Sequence, residues 1–286
     1  MLFGLAAAFS YAVSFWIQNR WGGVGELGPG DSVGIGLTAL LAGAAQYVGL
    51  DIVPFSARAD LENIFEELVE LYARRVSIPD DTEFPRVRPR LESYQFPNQL
   101  IDLDNLPYRA EQLRGDLRMD LGSGQWIDYR APWNSSDVIA EGSLDLIFSQ
   151  AVLEHVDGLE ETYQAMSTWL KPGGYASHVI DFSAYGLSPF WNGHWAYSEK
   201  EWRLVRGHRE FLLNRCPLSV HVNCAKRAGF EILRIEKNPI EGGLSLTALT
   251  KQFQTLDAED LRVGGAVMIL RKDLILRPES PNTGSR

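Results

Sequence analysis

The chain has 286 residues, 45% of them hydrophobic and 22% charged, with a formal net charge of −10. That length supports a large buried core. The acidic surplus opposes the phosphate neutralisation that drives nucleic-acid binding, and the clustered cations (Arg86, Arg88 and Arg90, then Arg203 to Arg215) are short and interrupted, so no nucleic-acid partner is expected. Two cysteines, Cys216 and Cys224, are too few for a disulfide framework and fit no zinc spacing; reduced thiols in a cytoplasmic protein are expected.

Met1 to Ile17 is almost free of charge but short for a membrane span and without the basic start of a signal peptide. Residues 1–20 are therefore expected to form a helix packed on the core, with docking on a membrane surface as the alternative. Trp21 to Leu27 reads as a strand ending in a Gly-Pro-Gly turn, Val33 to Ala42 as a helix and Gln46 to Ile52 as a buried strand. This βαβ unit implies a parallel sheet. The alternation then stops, and residues of about 55–120 read as an insertion. It opens with an amphipathic helix over Asp60 to Val76, is broken by Pro79, Pro85, Pro89 and Pro97, and closes with a short helix opened by Pro107. Strands are expected over Gln125 to Tyr129, Ser143 to Phe148 and Tyr175 to Phe182, with a helix marked by Leu159, Tyr163, Met166 and Leu170 and closed by Lys171-Pro172-Gly173-Gly174. Residues 183–215 form a second insertion, rich in aromatics, in which Ser198 and Glu201 stand in capping-box register. A helix over Ser219 to Ala228, strands Phe230 to Glu236 and Gly265 to Arg271, and a loose tail over 275–286 complete the main unit of 21–274.

The strongest local signal is Glu26-Leu27-Gly28-Pro29-Gly30-Asp31-Ser32. Spaced glycines let a backbone turn press against a ligand, and the following helix offers unpaired N–H groups. It is no P-loop, and Val33 occupies the third glycine of a dinucleotide fingerprint. Asp51 follows 25 residues after Glu26, where a carboxylate can accept both ribose hydroxyls. These residues imply a nucleoside, without distinguishing a nicotinamide from an adenosyl cofactor.

ELGPGDS (26–32), the strand end GLD (49–51), SLDLIFSQAVLEHV (143–156) and WLKPGG (169–174), in that order, resemble the class I S-adenosylmethionine-dependent methyltransferases that act on small molecules. The resemblance implies an α/β, Rossmann-like fold: a seven-stranded, mostly parallel sheet with one antiparallel strand near the C-terminus, and S-adenosyl-L-methionine across the carboxyl ends of the strands. It further implies that Glu26, Gly28, Pro29 and Gly30 shape the loop beneath the methionine part and that Asp51 holds the ribose. Asp128 lies nearest the adenine, with Arg130 as its competitor, and Ser149 borders the methyl group. Ser32 departs from the third glycine of many members. Residues 192–214 resemble bacterial members linked to polysaccharide or secondary metabolism, which does not identify a substrate; O-methylation of a glycan or a glycosylated metabolite is the expected activity.

Methyl transfer to a hydroxyl requires alignment and removal of a proton. The candidate bases are His194, Asp181 and His155, with His194 in a turn whose Gly193 suits a lid; His178 and His221 read as core residues. The acceptor is expected to be a sugar-containing or aromatic small molecule, no metal is expected, and association as a homodimer stays open. The rival functions are a nicotinamide-dependent oxidoreductase and a methyltransferase-like protein that binds cofactor without turnover.

Overall fold

The computed structural model describes residues 22–274 apart from 56–59, 81, 84–89, 99–100, 120–123, 134 and 210. The helix expected over 1–20 and the tail expected over 275–286 lie outside the described residues. The elements are β1 (Gly23–Leu27), α1 (Gly34–Leu41), β2 (Gln46–Leu50), α2 (Leu61–Ala73), α3 (Leu106–Leu117), β3 (Ile127–Arg130), β4 (Leu144–Gln150), α4 (Leu159–Trp169), β5 (Leu170–Asp181), α5 (Glu199–Arg206), α6 (Leu218–Arg227), β6 (Phe230–Pro239) and β7 (Val263–Lys272).

The seven strands run in the order β3-β2-β1-β4-β5-β7-β6. The pairs from β3 to β5 are parallel, and β7 lies antiparallel between β5 and β6. After β1 the chain builds outward to β2 and β3, then returns to β1's other side with β4. This reversal opens a crevice at the carboxyl ends of β1 and β4, where ligands bind in open parallel sheets.

Strand alternation supplies both faces. Leu146 and Phe148 of β4 pack with Leu37 and Leu40 of α1, Phe65 and Leu68 of α2 and Leu113 of α3. Ile147 faces the other way, joining Ala176 and Ile180 of β5 to Tyr163, Met166 and Trp169 of α4 and to Cys224 and Ala225 of α6. Helix α1 is apolar all round and almost wholly buried, as expected of a helix pressed into a core. Its Gly36 is required by space, since a Cβ there would lie 2.3 Å from the Tyr47 ring.

The first long connection is anchored at both ends. Asp60 caps α2 by accepting the Asn63 amide at 3.2 Å. At the end of α3 the Asp116 carboxylate accepts the amides of Gln125, Trp126 and Ile127 at 2.7, 2.8 and 2.9 Å. Ladder pairing of β3 therefore begins at Ile127, two residues later than the sequence pattern indicates. A second difference concerns Lys171-Pro172-Gly173-Gly174. Helix α4 does end at Trp169, but the four residues belong to β5 as a bulge: Leu144 pairs Leu170 and Leu146 pairs Tyr175, so they bow out opposite Asp145. The Lys171 ammonium lies 2.6 Å from the Asp145 carboxylate, and Gly173 takes φ +79°. In the second long connection the capping box of Ser198 and Glu201 forms as its spacing predicts.

Candidate active site

An open cleft of about 1030 Å³ lies at the carboxyl ends of β1, β2 and β4, lined among others by Gly28, Gly30, Asp51, Trp133, Val152 and His155. The loop after β1 is fixed by sterics as much as by hydrogen bonds. Gly28 (φ +64°) donates its amide to Leu50 at 2.8 Å, and a Cβ there would sit 2.5 Å from Val152. Gly30 (φ +70°) would meet nothing within 4 Å, so the backbone faces open space. Asp51, at the end of β2, accepts the amides of Gly30 at 3.1 Å and Ile52 at 2.8 Å. A carboxylate has about four acceptor positions, and with Val53 as a further backbone donor, acceptor capacity remains for a ligand hydroxyl. Burial raises its pKa from the ordinary aspartate value, and the backbone donors oppose that. A glycine turn that a Cβ would obstruct, beside a carboxylate with spare acceptor sites, fits an adenosyl cofactor.

Glu26 lies beneath this loop, buried, with its carboxyl accepting the Tyr47 hydroxyl at 2.6 Å. Burial lifts its pKa to about 8, against the Tyr47 bond and with the charge of Asp51. Tyr47 is absent from the sequence reading because a tyrosine opening a buried strand looks like core.

Three expected cofactor contacts are differently placed. Asp128 and Arg130, two residues apart on the edge strand β3, pair with each other at 2.6 Å, and Arg130 also reaches the Val138 carbonyl. Neither lines the cleft. Trp133 lies there instead, its amide bonded to the Asp51 carbonyl at 3.0 Å. Ser149 points into the core, where its hydroxyl meets His178 Nδ1 at 2.8 Å, because alternation along β4 turns it toward α4 rather than toward the crevice. Pro29 is half-buried between the two glycines.

The expected bases separate. His194 is 2% exposed in a short turn packed against Trp195, with ring centroids 4.9 Å apart. Burial, then the Arg215 charge, lower its pKa to about 3, as for a histidine packed in the core. Arg215 explains the burial. It takes φ +64°, donates to the Tyr197 carbonyl at 2.8 Å and to Glu199, and lies between the rings of Trp202 and Phe253 at 4.8 and 5.1 Å. His155 lines the cleft, with its pKa lowered by burial while the Phe211 carbonyl and Asp181 oppose that shift. Asp181 ends β5 beside a second hollow of about 610 Å³ and accepts the Ser183 amide at 2.7 Å. Ala151, at φ +53°, lines both hollows, so the two meet just beyond β4.

Between them lies Glu154, a buried carboxyl that accepts the Tyr185 hydroxyl at 2.9 Å and the Asp181 amide at 3.3 Å. Among the described residues its Oε2 has no partner, and burial lifts its pKa to about 7. Asn214 fixes the turn that carries it, donating its side-chain amide to the carbonyls of Leu153 and Val156 at 2.7 and 2.9 Å. The sequence shows Glu154 beside His155 but cannot tell which of the two turns inward. Among the described residues no three of His, Cys, Asp and Glu are grouped to hold a metal, and no helix is long and apolar enough to cross a membrane.

Residues 92–177 match the sequence family described as Methyltransferase domain, a stretch that contains β3, β4 and α4 and begins downstream of the glycine loop. No curated protein matches the chain. Among solved structures, an S-adenosylmethionine-dependent methyltransferase from Methanosarcina mazei is 15% identical, with 93% of this chain and 99% of that one covered at a TM-score of 0.50. One from Mesorhizobium loti is also 15% identical, covering 93% and 98% at 0.46. The geranyl diphosphate C-methyltransferase of Streptomyces coelicolor is 13% identical, covering 93% and 78% at 0.47. Residues 92–177 thus carry a methyltransferase domain, and the seven-stranded sheet has the strand order of the class I methyltransferase fold.

Proposed function

We propose that the protein methylates a hydroxyl of a small glycan or glycosylated metabolite in the cytoplasm, with Gly28, Gly30, Asp51 and Glu26 holding the cofactor and Asp181 serving the acceptor. The observation that carries this reading is the junction at Ala151 of a glycine-lined cleft with a second hollow edged by a carboxylate. Bound in the first cleft, S-adenosylmethionine would supply a methyl carbon that the acceptor oxygen bonds as the carbon–sulfur bond breaks, with the thioether S-adenosylhomocysteine as leaving group. Asp51 would bind and orient the ribose. Asp181 would take the proton of the acceptor hydroxyl, with His155 as the other ionisable group at the junction. The free state of both Cys216 and Cys224 agrees with a reducing compartment.

Two measurements test the proposal. Calorimetric titration should show S-adenosylhomocysteine binding at micromolar-range affinity and no binding of NADH; the reverse pattern would favour an oxidoreductase. Incubation with methyl-labelled S-adenosylmethionine and a panel of free sugars, nucleotide sugars, phenolic glycosides, amines and thiols should then label a hydroxyl of a sugar-containing member. Labelling only of amines or thiols would overturn the hydroxyl assignment.

A further inference from the structure

Glu26 stands two residues before Gly28 with its carboxyl buried, and its neighbours are all neutral or acidic. Tyr47 of β2 donates to it at 2.6 Å, Asp51 adds a second negative charge from the end of β2, and Tyr129 of β3 faces Tyr47 from the far side. Among the described residues no cation pairs with Glu26. Tyr47 is held in place, with the positions where Gly36 and Gly49 would carry a Cβ lying 2.3 Å from its ring and 3.0 Å from its hydroxyl. Burial, a carboxylate neighbour and the lack of a cation favour the carboxyl with its proton on, and the bond donated by the Tyr47 phenol only partly opposes them.

The amino-acid end of an S-adenosyl ligand carries an ammonium, and the placement of that end over the glycine loop is the reading on which the next step rests. We infer that Tyr47 fixes the Glu26 carboxyl as a proton store beneath the loop, and that the ligand's ammonium displaces this proton on binding. The balance is simple: the acid becomes a carboxylate, its proton passes to the solvent, and the ammonium keeps its own three hydrogens as the missing counter-charge. Tyr47 acts through Glu26 and is thus a positioning residue.

The test is calorimetry on the full chain in buffers of different ionisation enthalpy, with S-adenosylhomocysteine and with 5′-methylthioadenosine, which shares the nucleoside but lacks the ammonium. S-adenosylhomocysteine should release close to one proton at about pH 7, and its affinity should rise by up to about tenfold per pH unit until it levels near pH 8. The nucleoside should show neither effect, so any titration of Asp51 against the ribose is subtracted. Glu26→Gln should abolish the proton release. Because the Tyr47 bond lowers the Glu26 pKa, Tyr47→Phe should move the levelling point to higher pH and restore affinity there. Equal proton release by both ligands, or a Tyr47→Phe loss that is the same at every pH, would overturn the inference. Should Tyr47→Phe not fold, the two-ligand comparison and Glu26→Gln decide alone. Failure of S-adenosylhomocysteine to bind at any pH would remove the cofactor site itself, whereas binding without proton release removes only the proton store.

Discussion

Asp51 and Gly30 are joined across the cleft mouth: the carboxylate that ends β2 accepts, at 3.1 Å, the amide of the second glycine in the loop after β1. One side chain thereby shapes the loop and keeps acceptor sites for a ligand. Asp51→Ala should lose both, weakening S-adenosylhomocysteine about 10- to 100-fold, the scale of one or two charge-assisted hydrogen bonds. Asp51→Asn can still accept the Gly30 amide and should lose less. Titration calorimetry reads the affinities, and equal affinity in the wild type and Asp51→Ala would take Asp51 out of the site.

The two glycines should respond differently to alanine. Both have positive φ, so each substitution strains the backbone by about 1–2 kcal/mol. At Gly28 the new Cβ also meets Val152 at 2.5 Å, while at Gly30 it meets nothing. Gly28→Ala should therefore lower the melting temperature more and abolish cofactor binding; adding Val152→Ala should recover part of the loss. Equal melting temperatures for the two alanine variants would show that the contact with Val152 is relieved at no cost.

The parts of this site that were legible in the sequence are those determined by neighbours in the chain. Glu26, Gly28 and Gly30 sit in one turn, and Asp51 follows at the end of the next strand, so a βαβ unit brings them together whatever the rest of the fold does. What was not legible depends on which face a strand presents and on partners far along the chain. Ser149 lies near the end of β4, two residues before the Ala151 that lines the cleft, yet faces His178, its register partner on β5. His194 looked like a lid residue because glycine and tryptophan flank it; Arg215, 21 residues later, turns that segment into core. Asp128 pairs with Arg130, two residues on and so on the same face of β3, a pairing that competes with the adenine contact the resemblance implies.

The proton-accepting role can be divided among the three expected bases once an acceptor is known. Asp181→Asn should lower turnover about 10²- to 10⁴-fold with unchanged cofactor affinity, the range for loss of a general base. His155→Ala, at the junction of the hollows, should act mainly through acceptor KM. His194→Ala should leave turnover per folded molecule intact and lower stability instead, because it empties a buried site beside Trp195. Turnover within threefold of wild type for Asp181→Asn would leave an enzyme that works by alignment alone.

Stability should pass through a maximum near pH 6.5, and the sign follows from five buried groups. His178, His194 and His221 are held by burial at about 3 from an ordinary value of 6.5. Their contribution is complete above pH 6.5 and is lost as the pH falls toward 3, because the unfolded chain takes protons that the fold refuses. Glu26 and Glu154 are raised to about 8 and about 7 from 4.5, so theirs is complete below pH 4.5 and is lost as the pH rises through those values. Between 4.5 and 6.5 three histidines outweigh two glutamates, and above 6.5 only the glutamates act. Each group sets a slope of at most about 1.4 kcal/mol per pH unit. Urea unfolding between about pH 4 and 8.5 should trace this curve, and His221→Gln should nearly flatten the acid limb between pH 4.5 and 6.5, where two histidines then balance two glutamates. An acid limb unchanged by that substitution would show that His221 is already charged in the fold, with its Nε2, which has no partner among the described residues, bonded to an acceptor.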